Sequence, residues 1–227
     1  MHVQKFGPSK SFGVPYRQVC YHGSMASPVS EGTSARDRIM ETASTLFYAE
    51  GIHAVGVDRV VQDSGVAKAT LYQHFRSKEE LVAACLQERS DHWRRHFAEP
   101  ILSRPGSPGA RVAKVFDTLS RSVSVPGFRG CPFINAAAEY PGHDGLVAGV
   151  IQTHRAQVRE LFSDLLAPLP SSRRKELIDQ LILLYDGTMI SAELDWKPKP
   201  HRSAKTAAAR LLEDPTSLDA LAAAKGQ

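Results

Sequence analysis

Residues 67–75 combine two apolar side chains with a dense set of hydrogen-bonding ones. Read as a short helix, the segment places Leu71 and Phe75 on one side. The other side then carries Lys68, Thr70, Tyr72, Gln73 and His74. Lysine and glutamine match the edges of DNA bases, whereas threonine, tyrosine and histidine match phosphate oxygens. The pattern predicts a helix that docks on double-stranded DNA, although Lys68 and Gln73 would look the same as ordinary solvated residues.

The residues before this segment supply the rest of a DNA-binding motif. A short helical pattern covers residues 57–64, and Gly65-Val66 makes a tight turn before the next helix. The order helix, glycine-containing turn, short helix predicts a helix-turn-helix, in which the second helix enters the major groove. The two helices can pack through one apolar seam: Val57, Val60, Val61, Val66, Leu71 and Phe75.

Two longer helical patterns flank the motif. The first begins at Ser34 and stops at Gly51, a residue that enters the left-handed conformation without strain. The second begins with Ser77 and Glu80, which form a capping box, and runs to about Phe97. We therefore predict a small N-terminal bundle, residues 34–80, that continues into a long helix.

The stretch from Gly51 to Leu81 reads GIHAVGVDRVVQDSGVAKATLYQHFRSKEEL. It resembles the TetR family of repressors, whose signature contains Gly-Val, Thr-Leu-Tyr, Phe and Ser-Lys-Glu at these spacings. Two positions depart from the family, because Gly56 and Ala67 stand where a Ser or Thr usually opens a helix. A glycine or alanine offers no hydroxyl to a phosphate, so we expect somewhat weaker contacts to the DNA backbone.

The resemblance implies a role for each polar residue of the motif. It gives base reading to Lys68 and Gln73. Lys78 would bind a phosphate together with the N-terminal end of its helix. The other expected contacts to the DNA backbone are Thr70, Tyr72, His74, and Arg36 or Arg38.

The remainder of the chain also shows helical patterns and no strand-like alternation, so the predicted fold class is all-α. Helices are predicted at residues 110–124, 132–140, 144–167, 172–195 and 203–213, after a break from Pro100 to Gly109. Residues 81–227 would then form a ligand-binding and dimerisation domain. Residues 1–33, rich in Gly, Ser and Pro, are predicted to be a disordered arm in which Met25 is a candidate translation start.

The helix at 172–195 is apolar nearly all round, which requires cover on two faces. One face can pack on its own domain, and the family would place the other against a second subunit in a four-helix bundle. A symmetric homodimer would present two recognition helices to an inverted-repeat, palindromic operator. The alternative is a simply buried central helix. The apolar residues are Leu177, Ile178, Leu181, Ile182, Leu183, Leu184, Tyr185, Met189 and Ile190.

A second helix, near residues 132–140, predicts the wall of a pocket for an unknown small-molecule effector. Asn135 and Glu139 lie one turn apart on a face that is otherwise small and apolar. They could equally cap or bridge helices, since buried polar residues need partners. The candidate ligand-binding residues are Phe133, Asn135 and Glu139, with Phe116, His154 and Tyr185 from facing helices.

The sequence leaves two alternative switches open. Cys131 precedes a helix, whose positive end could lower the pKa of the thiol and make a redox sensor. His92 and His96 have the i, i+4 spacing of two metal ligands, but the sequence forces no third ligand. We therefore predict neither a metal nor a cofactor, and keep a thiol- or metal-responsive regulator as the alternative.

Composition narrows the class of protein. The chain has 227 residues, a net charge of +4 and three well-separated cysteines, which fit a reduced cytoplasmic protein and permit an acidic partner. No apolar run is long enough for a membrane span. No phosphate loop, HExxH motif or ordered catalytic triad indicates an enzyme. We predict a homodimeric, DNA-binding repressor that a small-molecule effector releases from its operator.

Overall fold

The computed structural model describes residues 34–194 and 200–213. No strand occurs in these two ranges, and the all-α prediction is confirmed. None of the described helices is both long and apolar enough to cross a membrane. The predicted arm and Met25 lie outside the described residues. The helices are α1 (Ala35–Glu50), α2 (Val57–Ser64), α3 (Lys68–His74), α4 (Lys78–Trp93), α5 (Glu99–Leu102), α6 (Pro108–Ser122), α7 (Pro132–Glu139), α8 (Leu146–Leu165), α9 (Ser171–Leu194) and α10 (Pro200–Glu213).

Helices α1 to α3 form the N-terminal bundle, and local signals set their ends. The Ser34 hydroxyl accepts a hydrogen bond from the backbone N–H of Asp37, which satisfies one of the unpaired donors of the first turn. Gly65 ends α2 with φ of 65°, a left-handed conformation in which a side chain would be strained. The tight turn predicted between the two motif helices is therefore present.

Helix α4 begins as expected at a Ser77 cap, which accepts from the N–H of Glu80. The reciprocal contact differs from the predicted capping box, since Glu80 Oε2 accepts from the N–H of Arg76 at 2.7 Å rather than from Ser77. A π-helical segment, Arg94–Ala98, follows α4 and leads into α5. The predicted break begins later than expected, because the helix continues through Pro100 to Leu102, and residues 103–107 then separate α5 from α6.

The structure has two apolar cores. The C-terminal core, centred on Phe116, Phe162 and Leu181, is built mainly from α6, α8, α9 and α10. The N-terminal core contains residues of α1 to α3 and also the first half of α4, together with Phe133 and Val147 of the other domain. Cys131 packs against both cores. Helix α4 is thus shared: its first half belongs to the N-terminal core, and Trp93 at its end packs against the C-terminal core.

Candidate DNA-binding surface and effector cavity

Helix α3 separates an anchored side from an exposed polar side. Leu71 and Phe75 are buried in the N-terminal core, as predicted. Tyr72 is 45% exposed, a high value for a large aromatic side chain. Lys68, Gln73 and His74 are exposed, and Thr70 is half-buried. The α3 residues predicted to contact DNA therefore lie outside the core, and we call their surface the recognition face (Lys68, Thr70, Tyr72, Gln73 and His74).

Lys68 of the recognition face and the nearby Arg36 of α1 both contact other side chains of the protein. The Lys68 ammonium lies 2.7 Å from a carboxylate oxygen of Asp58 on α2, and this hydrogen bond raises the pKa of Lys68. The Arg36 guanidinium lies 5.4 Å from the centre of the Phe75 ring. Both groups of the Lys68–Asp58 pair are largely exposed, so solvent screens it and a phosphate or base edge can replace Asp58 at little cost.

The beginning of α4 adds a second position for a phosphate. Lys78 is the first residue of the helix, next to unpaired backbone N–H groups, and its ammonium lies 6.0 Å from the centre of the Phe47 ring. Burial lowers the pKa of Lys78, and the charge of Glu139 opposes that shift. At the two departures from the family pattern, Gly56 and Ala67, no side chain caps the helix.

A partly open cavity of about 220 Å³ is lined by residues of α4, α6, α7, α8 and α9 and by Tyr48 of α1. Phe133, His154 and Tyr185, predicted from the sequence, do line it. Phe116 does not, because it is fully buried in the C-terminal core. The lining residues that the sequence did not single out as pocket residues are Tyr48, Arg89, His92, Trp93, His96, Phe97, Thr118, Arg121, Ser122, Val125, Phe128, Gly130, Cys131, Pro132 and Met189.

Asn135 and Glu139 lie outside this cavity and hydrogen-bond to backbone groups of other segments. They border a separate crevice of about 30 Å³, which has room for one water molecule at most. Asn135 Nδ2 donates to the carbonyl oxygen of Arg129 at 2.7 Å. The Glu139 carboxylate accepts from the backbone N–H groups of Ile52, at 2.8 Å, and His53, at 2.5 Å. The expectation of a pocket wall is corrected here, because α7 turns these side chains toward the DNA-binding bundle.

Aromatic and polar contacts organise the inner end of the cavity. The Phe133 ring stacks on His154, with 3.6 Å between centroids and 8° between planes. The Ser90 hydroxyl donates its proton to Gln157 Oε1. His154 Nδ1 lies 3.0 Å from the same hydroxyl oxygen, so Nδ1 must be protonated and donate to it. Burial lowers the pKa of His154 to about 3, so the ring is neutral at pH 7. Trp93 Nε1 donates to the Tyr185 hydroxyl at 3.1 Å.

Neither alternative switch is favoured by the structure. Burial raises the pKa of the Cys131 thiol, and this outweighs the hydrogen bonds from the N–H groups of Ile134 and Phe133 that lower it. The lowered pKa expected from the helix end is therefore wrong. The His92 and His96 rings are 4.2 Å apart, yet residues 34–194 and 200–213 contain no group of three or more metal-ligating side chains.

Helix α9 leaves an apolar stripe on the surface of the subunit. Leu183, Ile190 and Leu194 are 69%, 43% and 67% exposed and lie seven and four residues apart, on one side of the helix. Its opposite side, which includes Leu181, Ile182 and Tyr185, is buried in the C-terminal core. The predicted two-sided apolar helix is present in this subunit. A shallow groove beside the stripe is lined by residues of α9 and α10: Gln180, Leu183, Leu184, Ala207, Arg210 and Leu211.

A polar helix presented on a small bundle, with a shared helix leading to a domain that contains a cavity, defines a helix-turn-helix regulator with a separate helical C-terminal domain. The family model for bacterial regulatory proteins of the tetR family matches residues 39–85. The crystal structure of SCO4454, a TetR-family transcriptional regulator from Streptomyces coelicolor, has 32% sequence identity and a TM-score of 0.69, and the match covers 79% of this chain and 92% of that one. The chain belongs to the TetR family.

Two relatives from Mycolicibacterium smegmatis resemble the chain over shorter stretches. The transcriptional activator FasR is 44% identical over 57 residues, which are 25% of this chain and 26% of FasR. The transcriptional repressor KstR2 is 31% identical over 87 residues, which are 38% of this chain and 42% of KstR2. The chain thus spans less than half the length of both relatives, and their names differ in the direction of regulation.

Proposed function

We propose that the protein is a homodimeric repressor that binds an inverted-repeat operator and leaves it when a small molecule fills the cavity. The observation that carries this proposal is the recognition face of α3, an exposed polar surface fixed from behind by buried Leu71 and Phe75. A surface held in this way can insert into the major groove without first ordering itself. The likeness to the repressor KstR2 supports repression, whereas the likeness to the activator FasR supports activation. The effect on transcription therefore has to be measured.

The exposed stripe on α9 supports the homodimer. Leu183, Ile190 and Leu194 form an exposed apolar line on one side of α9, and burial of such a line against a second copy removes it from water. A two-fold axis along this line pairs the same surface of both subunits. Two recognition faces related by this axis would meet half-sites about 34 Å apart, or a multiple of that distance, along the duplex.

Helix α7 supports the coupling between cavity and DNA. At its beginning, Phe133 lines the cavity. At its end, Glu139 holds the backbone of Ile52 and His53, between α1 and α2. The His53 ring returns a hydrogen bond from Nε2 to the carbonyl oxygen of Glu139 at 2.6 Å. A molecule that displaces Phe133 would thus shift the support of the DNA-binding bundle.

A second set of contacts joins the same two parts. Tyr48, on α1, lines the cavity. Its hydroxyl donates to the carbonyl oxygen of Gly130 at 3.0 Å and accepts from the N–H of Arg129 at 2.7 Å. The Arg129 guanidinium in turn donates to the carbonyl oxygens of Tyr48 and Ala49, near the end of α1. An occupant of the cavity would therefore touch the DNA-binding bundle directly as well as through α7.

The DNA-binding part is tested with fluorescence anisotropy on the DNA flanking the gene, and with transcription in vitro from that DNA. We expect Lys68→Ala and Tyr72→Ala each to weaken binding by about tenfold or more, as loss of a base or phosphate contact does. Lys175→Ala is the matched control, because Lys175 is exposed on α9 in the other domain. Equal affinities for all three variants would contradict the assignment of the recognition face, and activation of transcription would contradict repression.

The dimer is tested by light scattering of the full chain after size-exclusion chromatography. We expect Leu183→Arg to give a monomer with a helical circular-dichroism spectrum, because the charge would lie in the apolar interface. Leu146→Arg is the control, since Leu146 is 54% exposed but stands at the beginning of α8, away from the stripe. A dimer that survives Leu183→Arg and Ile190→Arg would place the subunit contact elsewhere.

A further inference from the structure

The charges around the cavity all have one sign. Among the described lining residues the charged groups are the arginines Arg89 and Arg121, with no aspartate or glutamate, and the histidines are His92, His96 and the neutral His154. Asp186, whose charge acts on the neighbouring Cys131 thiol, is held by Arg155, with an Nη2–Oδ2 distance of 2.7 Å. The cavity therefore offers positive charge and hydrogen-bond donors to its occupant and no negative charge, which favours an anion.

The deepest of these cations is Arg89. Its residue is 9% exposed, and its guanidinium lies 4.5 Å from the centre of the Tyr48 ring. A carboxylate can accept two N–H groups of a guanidinium at once through charge-assisted hydrogen bonds. Arg121 and His96 are exposed, so they stand where the cavity meets solvent.

Tyr185 contributes a neutral donor on the same side of α4. Its hydroxyl oxygen accepts from Trp93 Nε1, and no described residue accepts the proton of that hydroxyl. Burial raises the pKa of Tyr185, which keeps the proton in place at neutral pH. Trp93 follows Arg89 by four residues, so these two residues lie one helical turn apart on the same face of α4.

Four aromatic side chains make up much of the remaining cavity lining: Trp93, Phe97, Phe128 and Phe133. Trp93 and Phe97 stack with 5.6 Å between centroids and 19° between planes. A dry cavity of about 150 Å³ can hold benzene. The volume of about 220 Å³ found here has room for one or two fused rings.

We propose that the cavity binds a planar aromatic monocarboxylate, with its rings among the four aromatic side chains and its carboxylate toward Arg89 and the Tyr185 hydroxyl. This inference rests on the proposed function only where it calls that molecule the effector. The selectivity comes from charge and shape together. A neutral amide of the same shape keeps the aromatic contacts and loses the charge-assisted hydrogen bonds, and the matching amine brings a second positive charge to Arg89.

The experiment measures binding of three molecules of equal shape to the full chain by calorimetry: 2-naphthoate, 2-naphthamide and 2-naphthylmethylamine. Benzoate and benzamide repeat the comparison with one ring. We expect naphthoate to bind at least about tenfold more tightly than its amide, and the amine not to bind. An amide that binds as tightly as the acid, or an acid that fails to bind in both series, overturns the proposal.

Two variants test where the carboxylate of naphthoate binds in the cavity. We expect Arg89→Gln to weaken naphthoate binding by about tenfold and to leave the amide unchanged, and Tyr185→Phe to weaken it by a smaller factor. Arg159→Gln is the control, because Arg159 is half-exposed and paired with Asp179 outside the cavity. Tyr185→Phe keeps the shape of the ring and carries the test if Arg89→Gln does not fold. Loss of acid and amide binding to the same degree overturns the charge argument.

The operator assay separates the two proposals. Binding of naphthoate without release of DNA would contradict the proposed function and leave the ligand class standing. Release of DNA by the amide, at the concentration at which it binds and more readily than by the acid, would contradict the ligand class and leave the proposed function standing.

Discussion

Replacement of Glu139 by glutamine removes the charge from the carboxylate that holds the bundle to α7. At present Oε1 accepts from Ile52 N–H at 2.8 Å and Oε2 accepts from His53 N–H at 2.5 Å. The glutamine amide keeps one acceptor oxygen but places an NH₂ group against the other backbone N–H. One hydrogen bond is therefore lost, and the remaining one becomes neutral.

The expected loss of stability follows from these two contacts. Hydrogen bonds to charged groups contribute about 1.5–3 kcal/mol each, and the neutral replacement retains about 1 kcal/mol. Because His53 is exposed, water replaces part of its bond, and we expect a net loss of about 2 kcal/mol. For a chain of this size that corresponds to a fall in Tm of about 4–8 °C.

Three assays measure the effects of the Glu139→Gln substitution. Circular dichroism gives the Tm. Hydrogen exchange gives the protection of the peptide that contains Ile52 and His53, which should fall by about tenfold or more, because a free-energy change of 1.4 kcal/mol is a factor of ten. Operator binding with and without 2-naphthoate gives the coupling between the two sites, which should become weaker. Glu160→Gln is the control, since Glu160 is exposed on α8.

The outcomes separate two parts of the reasoning. An unchanged Tm and unchanged exchange in Glu139→Gln would refute the energetic role of the Glu139 contacts. A lower Tm with undiminished coupling would show that Glu139 only supports the fold, and that the signal passes through Tyr48 or along α4.

Further predictions concern a glycine, a histidine and a thiol. Gly145 has φ of 95°, and a Cβ there would lie 2.8 Å from Glu79 Oε1, so Gly145→Ala should cost about 1–2 kcal/mol in urea unfolding, whereas Gly149→Ala inside α8 should be neutral or stabilising. Burial holds the pKa of His154 at about 3, below the ordinary 6.5, so its contribution is complete above pH 6.5 and is lost as pH falls toward 3. Urea titrations should show about 2 kcal/mol lost between pH 7 and pH 5, and a flatter profile in His154→Gln would confirm the source. Because burial raises the pKa of Cys131, iodoacetamide at pH 8 should modify it more slowly than free cysteine, and a faster reaction would revive the thiol switch.

Local signals determined much of the N-terminal bundle. Helix α2 has the predicted bounds, because Gly65 can take a left-handed conformation that ends the helix without strain. The Ser77 cap sets the beginning of α4 through a contact only three residues long. Leu71 and Phe75 could be assigned to the core, since a helix of two turns leaves only one side for apolar residues. These features depend on neighbours in sequence, and one sequence is enough to read them.

The cavity could be predicted only in part. Arg89, His92, Trp93 and His96 have the i, i+3, i+4 and i+7 spacing of one face of α4, and this pattern was visible in the sequence. It did not say whether that face meets solvent, a core or a cavity. Phe133, Asn135 and Glu139 were predicted together from one helix, but only Phe133 lines the cavity, while Asn135 and Glu139 turn to the bundle.

The sequence by itself determined the kind of protein: the helices, their caps, the recognition face and the family resemblance all depend on residues within a few positions of one another. Tertiary structure alone decided which side chains surround the cavity and which ones tie the domains together. Glu79, for example, accepts from the N–H of Leu146, 67 residues away, at 3.0 Å. The physical reason is that the rotation of each helix about its axis is fixed by packing against distant helices, and that packing determines whether a carboxylate meets a backbone N–H, water or a ligand.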